Sequence, residues 1–212
     1  MEDRNKFFEI FGIILVLILL YSYIPTISEV ISEKGSSDFL WQGSKCTFEG
    51  INFYTSYLNR DGECPYFMND GAGYAQGFYL LLYPFTLLEW SSAKILWFSL
   101  NIILILFTIT ILCKKFQLSA IETFLIVFVV MYSIVVRVNL IMGQHTIFTL
   151  FFLTLPFVYK SKFSTILSGI SFFKYNIGYA LFILFFVSKE YKKIFISLIP
   201  AVIGLLLFCL IT

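Results

Sequence analysis

Residues 163–187 read FSTILSGISFFKYNIGYALFILFFV, a run long and apolar enough to cross a bilayer but broken at its middle by Lys174, Tyr175 and Asn176. A charge with two polar neighbours at mid-membrane is expensive. Two short helices, 163–173 and 177–187, that meet at Lys174 and return the chain to its starting side are the cheaper arrangement. At 1.5 Å per residue neither half spans a core of about 30 Å, so both must lean on neighbouring helices or reach a recessed, wet surface. Ser168, Gly169 and Gly178 are small enough for the close helix approach that a hairpin requires. The fold expected from this stretch is helical and membrane-embedded, with Lys174 at an apex facing inward, away from lipid.

Composition extends that reading to the whole chain. Of 212 residues, 59% are hydrophobic, 20% aromatic and only 13% charged, too little polar surface to coat a soluble globule. A disordered chain is excluded on the same grounds, and so is a nucleic-acid binder, because basic tails and stripes are absent. Further apolar stretches lie at 7–24, 77–90, 93–113, 120–136, 146–159 and 194–211. The run 77–90 is too short to cross and is expected to re-enter or lie at the interface. With the N-terminus cytoplasmic, Lys114, Lys115, Lys160, Lys162, Lys189, Lys192 and Lys193 then all fall inside, as the positive-inside rule asks. The expected architecture is all-α and polytopic in the plasma or inner membrane, with about seven transmembrane helices including the short pair. Residues 1–212 form one membrane domain, and residues 25–92 form a large first external loop.

That loop holds most of the acids. Ser36 and Ser37 are suitable N-caps, Gly50 is a suitable stop, and Asp38, Gln42, Lys45 and Glu49 recur at helical spacing between them. The pattern predicts an amphipathic helix on the outer membrane surface, with Asp38 in its first turn. Asn59 to Gly62 and Asn69 to Gly73 read as turns. Cys46 and Cys64 could pair if this loop faces an oxidising compartment, whereas Cys113 and Cys209 sit in apolar runs as small hydrophobes. The single histidine, His145, leaves no ordinary zinc site, and no Asp-x-Asp pair is present for a magnesium-bound sugar nucleotide, so no metal or cofactor is expected.

Several strings in order carry a family resemblance. Ser37-Asp38-Phe39 and Phe48 to Tyr54, Tyr83-Pro84 within 79–88, Leu96-Trp97 with Leu100-Asn101, Asn139 to His145 around Gly143-Gln144, and the glycine-containing 169–174 ending in Lys174 together resemble the GT-C type polyprenyl-phosphate-sugar glycosyltransferases, in particular glycosyltransferase family 87. The chain departs from that pattern in having Tyr175 where Pro is common and His145 where a small or branched residue is usual. It is also short, and so resembles the N-terminal half of a longer family, with the C-terminal half missing or separately encoded. The resemblance implies an inverting hexosyltransferase that moves a sugar, mannose by family analogy, from a polyprenyl-phosphate donor to an extracytoplasmic glycan or lipid.

Such a reaction needs a base for the acceptor hydroxyl and a cation for the leaving phosphate. Asp38 is the expected base. Lys174 and Arg137 are the cations near the outer helix ends, and Gln144, His145 and Asn139 are expected to bind sugar or phosphate. Tyr54, with Tyr74 and Tyr79, has the ring to stack on a sugar, although Tyr is also the ordinary residue of a membrane interface. The competing readings are a non-catalytic lipid-linked-sugar transporter or assembly subunit, or an inactive truncated family member. A transporter would more often gather its ionisable groups at mid-membrane between repeated halves, and no internal repeat is visible.

Overall fold

The computed structural model describes residues 2–32, 35–59, 64 and 74–212, and every regular element among them is helical. In chain order they are α1 (Glu2–Ile31), α2 (Trp41–Phe48), α3 (Phe53–Asn59), α4 (Gln76–Leu81), α5 (Tyr83–Thr86), α6 (Trp90–Lys115), α7 (Ala120–Tyr132), α8 (Ile134–Ile141), α9 (Thr146–Val158), α10 (Lys162–Ser168), a 3₁₀ turn (Gly169–Phe173), α11 (Tyr175–Val187), α12 (Tyr191–Ser197) and α13 (Ile199–Ile211). Ile10–Ile31, Trp90–Lys115 and Tyr191–Ile211 are long and apolar enough to cross a membrane. The pair α7 and α8, bent by 55° at Ser133, makes up to four among the described residues. The figure of about seven counts shorter helices as well. Of these, α9 and α11 have 13 residues each, or about 20 Å, less than a full hydrocarbon core. The run 77–90 becomes α4, α5 and the start of α6, none of which crosses within it.

The first helix is longer than its sequence suggested. It continues through Pro25 to Ile31, although Pro removes one backbone hydrogen bond. Packing holds it: Tyr23, Thr26 and Val30, spaced by 3 and 4, are all buried, and the Tyr23 hydroxyl donates to the Met131 carbonyl at 3.0 Å. The large loop therefore begins at Ser32, not at residue 25.

The amphipathic helix is shorter than expected, and its environment is different. It starts at Trp41 with Leu40 as its cap residue and no side-chain cap, so Ser36 and Ser37 are not its N-caps and Asp38 lies outside its first turn. The backbone N–H groups of Ser36 and Asp38 instead donate to the Ile141 and Met142 carbonyls, at 2.7 and 2.8 Å. They satisfy carbonyls at the C-terminal end of α8, which the helix itself leaves without partners. Trp41 is buried, its indole N–H donating to the Phe85 carbonyl at 2.8 Å, so α2 packs on α4 and α5 rather than lying bare on lipid. At its far end Gly50 takes φ +80° as the helix stop, and Cys46 is bonded to Cys64. The expected turn at 60–62 and the linker at 69–73 lie outside the described residues.

Among the described residues two larger apolar clusters fill the interior, beside a small one of Leu181, Phe185 and Ile194 between α11 and α12. One gathers Phe39, Trp41, Phe78, Phe85, Trp97, Phe148 and Phe173 from the loop, α4 to α6, α9 and the 3₁₀ turn. The other joins Tyr23, Ile105, Ile109, Met131 and Leu140 from α1, α6, α7 and α8. The hairpin is closed at Gly178, where a Cβ would lie 2.7 Å from Phe172 Cα. Gly169 serves a different contact, because its Cβ would strike the Ser197 carbonyl, so this glycine seats the turn on α12 and α13 and not on α11.

Candidate active site

The site is built around a left-handed turn. Gly143 has φ +68°, and a Cβ there would stand 3.0 Å from the Cβ atoms of both Phe39 and Ser36. Only glycine suits that backbone and that space. The Gly143 carbonyl accepts the Trp97 indole N–H at 2.9 Å, and Phe39 stacks on the same indole with centroids 5.0 Å apart. The turn at residues 35–38 and the turn at 142–144 are thus fixed to each other and to α6.

This clamp brings Asp38 to Gln144 across a separation of 106 residues: Gln144 Nε2 donates to Asp38 Oδ2 at 2.8 Å. The chain of contacts continues. Thr146, the first residue of α9, donates its hydroxyl to Gln144 Oε1 over a longer 3.4 Å. Lys174 Nζ donates to Thr146 Oγ1 at 2.6 Å. The donors run in one direction, from ammonium to carboxylate, and the Thr146 to Gln144 contact at 3.4 Å is the weakest of the three. The amine and the carboxylate are therefore no more than about 11 Å apart, given ordinary amide and hydrogen-bond lengths.

Lys174 stands between the 3₁₀ turn and α11, the expected apex, and is half-buried with its amine 5.6 Å from the centre of the Tyr74 ring. Burial pulls its pKa below the usual lysine range, and the Asp38 charge pulls it partly back. His145, beside Gln144, has no exposed surface. Its ring is enclosed by Phe78, Trp97, Tyr74 and Phe39, with centroids 4.4, 4.9, 5.0 and 6.1 Å away. Burial, with the Lys174 charge adding to it, holds the imidazole well below the usual histidine range, so the ring is neutral. In this structure His145 is a wall behind the site.

The side chains of three other expected residues stand apart from the chain of contacts, although the Asn139 backbone carbonyl accepts the Gln144 N–H at 2.9 Å. Arg137, on α8, lies over the Tyr132 ring at 5.5 Å. Asn139 gives its amide to the Val135 carbonyl at 2.9 Å, within its own helix. Among the described residues the Tyr54 hydroxyl donates to the Tyr74 carbonyl, and its ring packs on Tyr79 and Phe208. Thr146 and Trp97 are the members that sequence reasoning did not assign a role. Thr146 follows Gly143-Gln144-His145 directly. That adjacency at a helix start is the one signal that could have shown it.

The arrangement offers an anchored carboxylate with one oxygen engaged, a partly desolvated ammonium, and aromatic walls between them. A family model for glycosyltransferase family 87 matches residues 74–212, which include Gly143, Gln144, Thr146 and Lys174 and exclude Asp38. No curated protein and no solved structure matches the chain. The chain belongs to glycosyltransferase family 87, a family of membrane glycosyltransferases.

Proposed function

We propose that the protein transfers a sugar from a polyprenyl-phosphate donor to an extracytoplasmic glycan or lipid, with Asp38 as the general base. The observation that carries this reading is the directed chain from Lys174 through Thr146 and Gln144 to Asp38. Gln144 holds Oδ2 and orients the carboxylate, leaving Oδ1 to take the acceptor proton. The acceptor oxygen then attacks the anomeric carbon from the face opposite the phosphate, the carbon–oxygen bond to phosphate breaks, and configuration inverts. Lys174 meets the charge that develops on the departing polyprenyl phosphate. The donor sugar class is a hexose, mannose by the family likeness. Arg137 and Asn139, outside the chain of contacts, are assigned no step.

The disulfide between Cys46 and Cys64 supports an external location for the loop that carries Asp38, because such bonds persist in oxidising compartments. The lysine distribution supports the same orientation, with the N-terminus cytoplasmic. The roughly 20 Å helices α9 and α11 support a site recessed below the outer interface, where a membrane-embedded lipid phosphate can approach without leaving the headgroup region. The test is consumption of radiolabelled polyprenyl-phosphate hexose by membranes containing Asp38→Asn. This nearly isosteric change is expected to abolish turnover while donor retention and membrane insertion persist. Turnover equal to the unaltered protein would remove Asp38 from the mechanism.

A further inference from the structure

The end of the helices opposite Asp38 holds a second concentration of charge that sugar transfer does not use. There the connection from α9 to α10 and the connection from α11 to α12 line one open cavity of about 730 Å³. Five lysines line it, Lys160, Lys162, Lys189, Lys192 and Lys193, against a single acid, Glu190. Only Lys193 is neutralised among the described residues, its ammonium 2.5 Å from Glu190 Oε1. Among the described residues the other four have no hydrogen-bond or ion-pair partner for their side chains.

Ordered turns hold Lys160 and Lys189, and the first turns of α10 and α12 hold Lys162 and Lys192. Ser161 and Ser164 cap each other reciprocally between Lys160 and the start of α10. On the facing turn Lys189 takes φ +58°, a backbone position that ordinarily favours glycine, and the turn is closed by Lys189 N–H to the Phe186 carbonyl at 3.0 Å and Glu190 N–H to the Phe185 carbonyl at 2.8 Å. Lys160, Lys162, Lys189 and Lys192 are solvent-exposed around this one concavity, and like charges that share it repel one another unless something of opposite sign lies between them. Orienting the chain in a membrane requires lysines in the loops but not their convergence. Lys114 and Lys115, exposed at the same end of α6 and outside this cavity, meet the orienting need without it.

We infer that this cavity binds a phosphate-bearing anion at the membrane surface. Four uncompensated ammonium groups suit a ligand carrying one or two phosphate charges. Pro156 and Ile196 add an apolar floor, on which the first carbons of a lipid below its headgroup can lie. A headgroup phosphate and a free phosphate share the chemistry that the lysines recognise, and the two are separable by experiment.

The full-length protein, purified in neutral detergent, is titrated with phosphatidylglycerol, phosphatidylcholine and inorganic phosphate, with native mass spectrometry and melting temperature as readouts. Saturable binding of phosphatidylglycerol, well above that of phosphatidylcholine, is expected. The combined Lys160→Gln, Lys162→Gln, Lys189→Gln, Lys192→Gln variant should lose affinity by about tenfold or more, given what each lysine contributes toward an anionic headgroup. The corresponding four Lys→Arg changes should retain it, which separates loss of charge from loss of fold, and Lys114→Gln with Lys115→Gln should bind as the unaltered protein does. Saturable protection by inorganic phosphate alone, lost in the four-glutamine variant, would support the site and identify its ligand as a soluble phosphoanion. Absence of saturable binding by either, or an equal loss in the Lys114 and Lys115 variant, would overturn the proposal. No readout depends on turnover, so the outcome stands separately from that of sugar transfer.

Discussion

Substituting Gly143 by alanine tests whether the clamp between the two turns exists as described. Two penalties apply there. A left-handed backbone costs an L-residue about 1–2 kcal/mol. The new Cβ would also meet Phe39 and Ser36 at 3.0 Å, and overpacking of this kind costs about 1–3 kcal/mol. Phe39 has little room to move, because it stacks on Trp97 at 5.0 Å and meets the edge of Phe85 at 5.6 Å. Gly50 is the internal control: it has φ +80° with nothing within 4 Å of its Cβ position, so Gly50→Ala pays the backbone penalty alone. Gly143→Ala should therefore cost about 2–5 kcal/mol and Gly50→Ala about 1–2. In heat-induced unfolding of detergent-solubilised protein, each kcal/mol lowers the midpoint by about 2–4 °C at this chain length. Gly143→Ala should also weaken sugar transfer, since the displaced turn carries Gln144 away from Asp38. Equal midpoints for the two variants would refute the crowding argument, and Gly143→Ala with unaltered midpoint and turnover would refute the clamp.

Other expectations follow from the same geometry. Donor binding should fall as pH rises through the lowered pKa of Lys174, because the ammonium is lost there, and Lys174→Arg should move that alkaline limb upward while Lys174→Met removes it; a limb unchanged in Lys174→Met would exclude the assignment. Stability moves the opposite way: the unfolded chain binds more protons than the folded one between the lowered and the ordinary lysine value, so this group's contribution rises with pH across that window. Reducing the bond between Cys46 and Cys64, 18 residues apart, should cost about 3 kcal/mol by loss of loop closure, measured as a lower melting midpoint in reductant. For orientation, Glu49→Cys on the exposed loop should react with an impermeant thiol reagent applied outside and Lys115→Cys should not, and labelling at 115 would reverse the assignment. His145→Phe removes two buried ring nitrogens that have no partner among the described residues, so it should leave the melting midpoint unchanged or raise it, and a marked fall would show that the ring is hydrogen-bonded.

The sequence by itself determined what depends on composition and on neighbours a few residues apart. Apolar runs this long must be helical in a membrane, since only helices or closed barrels satisfy the backbone there and barrel strands alternate apolar with polar residues. The interruption at Lys174 located the hairpin apex because the cost of a mid-membrane charge is local, and Gly50 marked a helix end for the same kind of reason. Asp38, Gln144 and Lys174 were legible as candidates, but their meeting was not: a hydrogen bond across 106 residues depends on how α6, α8 and the loop pack, which no periodicity encodes. Tertiary packing also overrode local signals. The buried face of Tyr23, Thr26 and Val30 carried α1 through Pro25, and α8's unpaired carbonyls drew the backbone at Ser36 and Asp38 away from the helix that their side chains favoured. His145 looked like a ligand because its chemistry is that of a polar ring; only the aromatic enclosure around it, assembled from three distant segments, made it a wall.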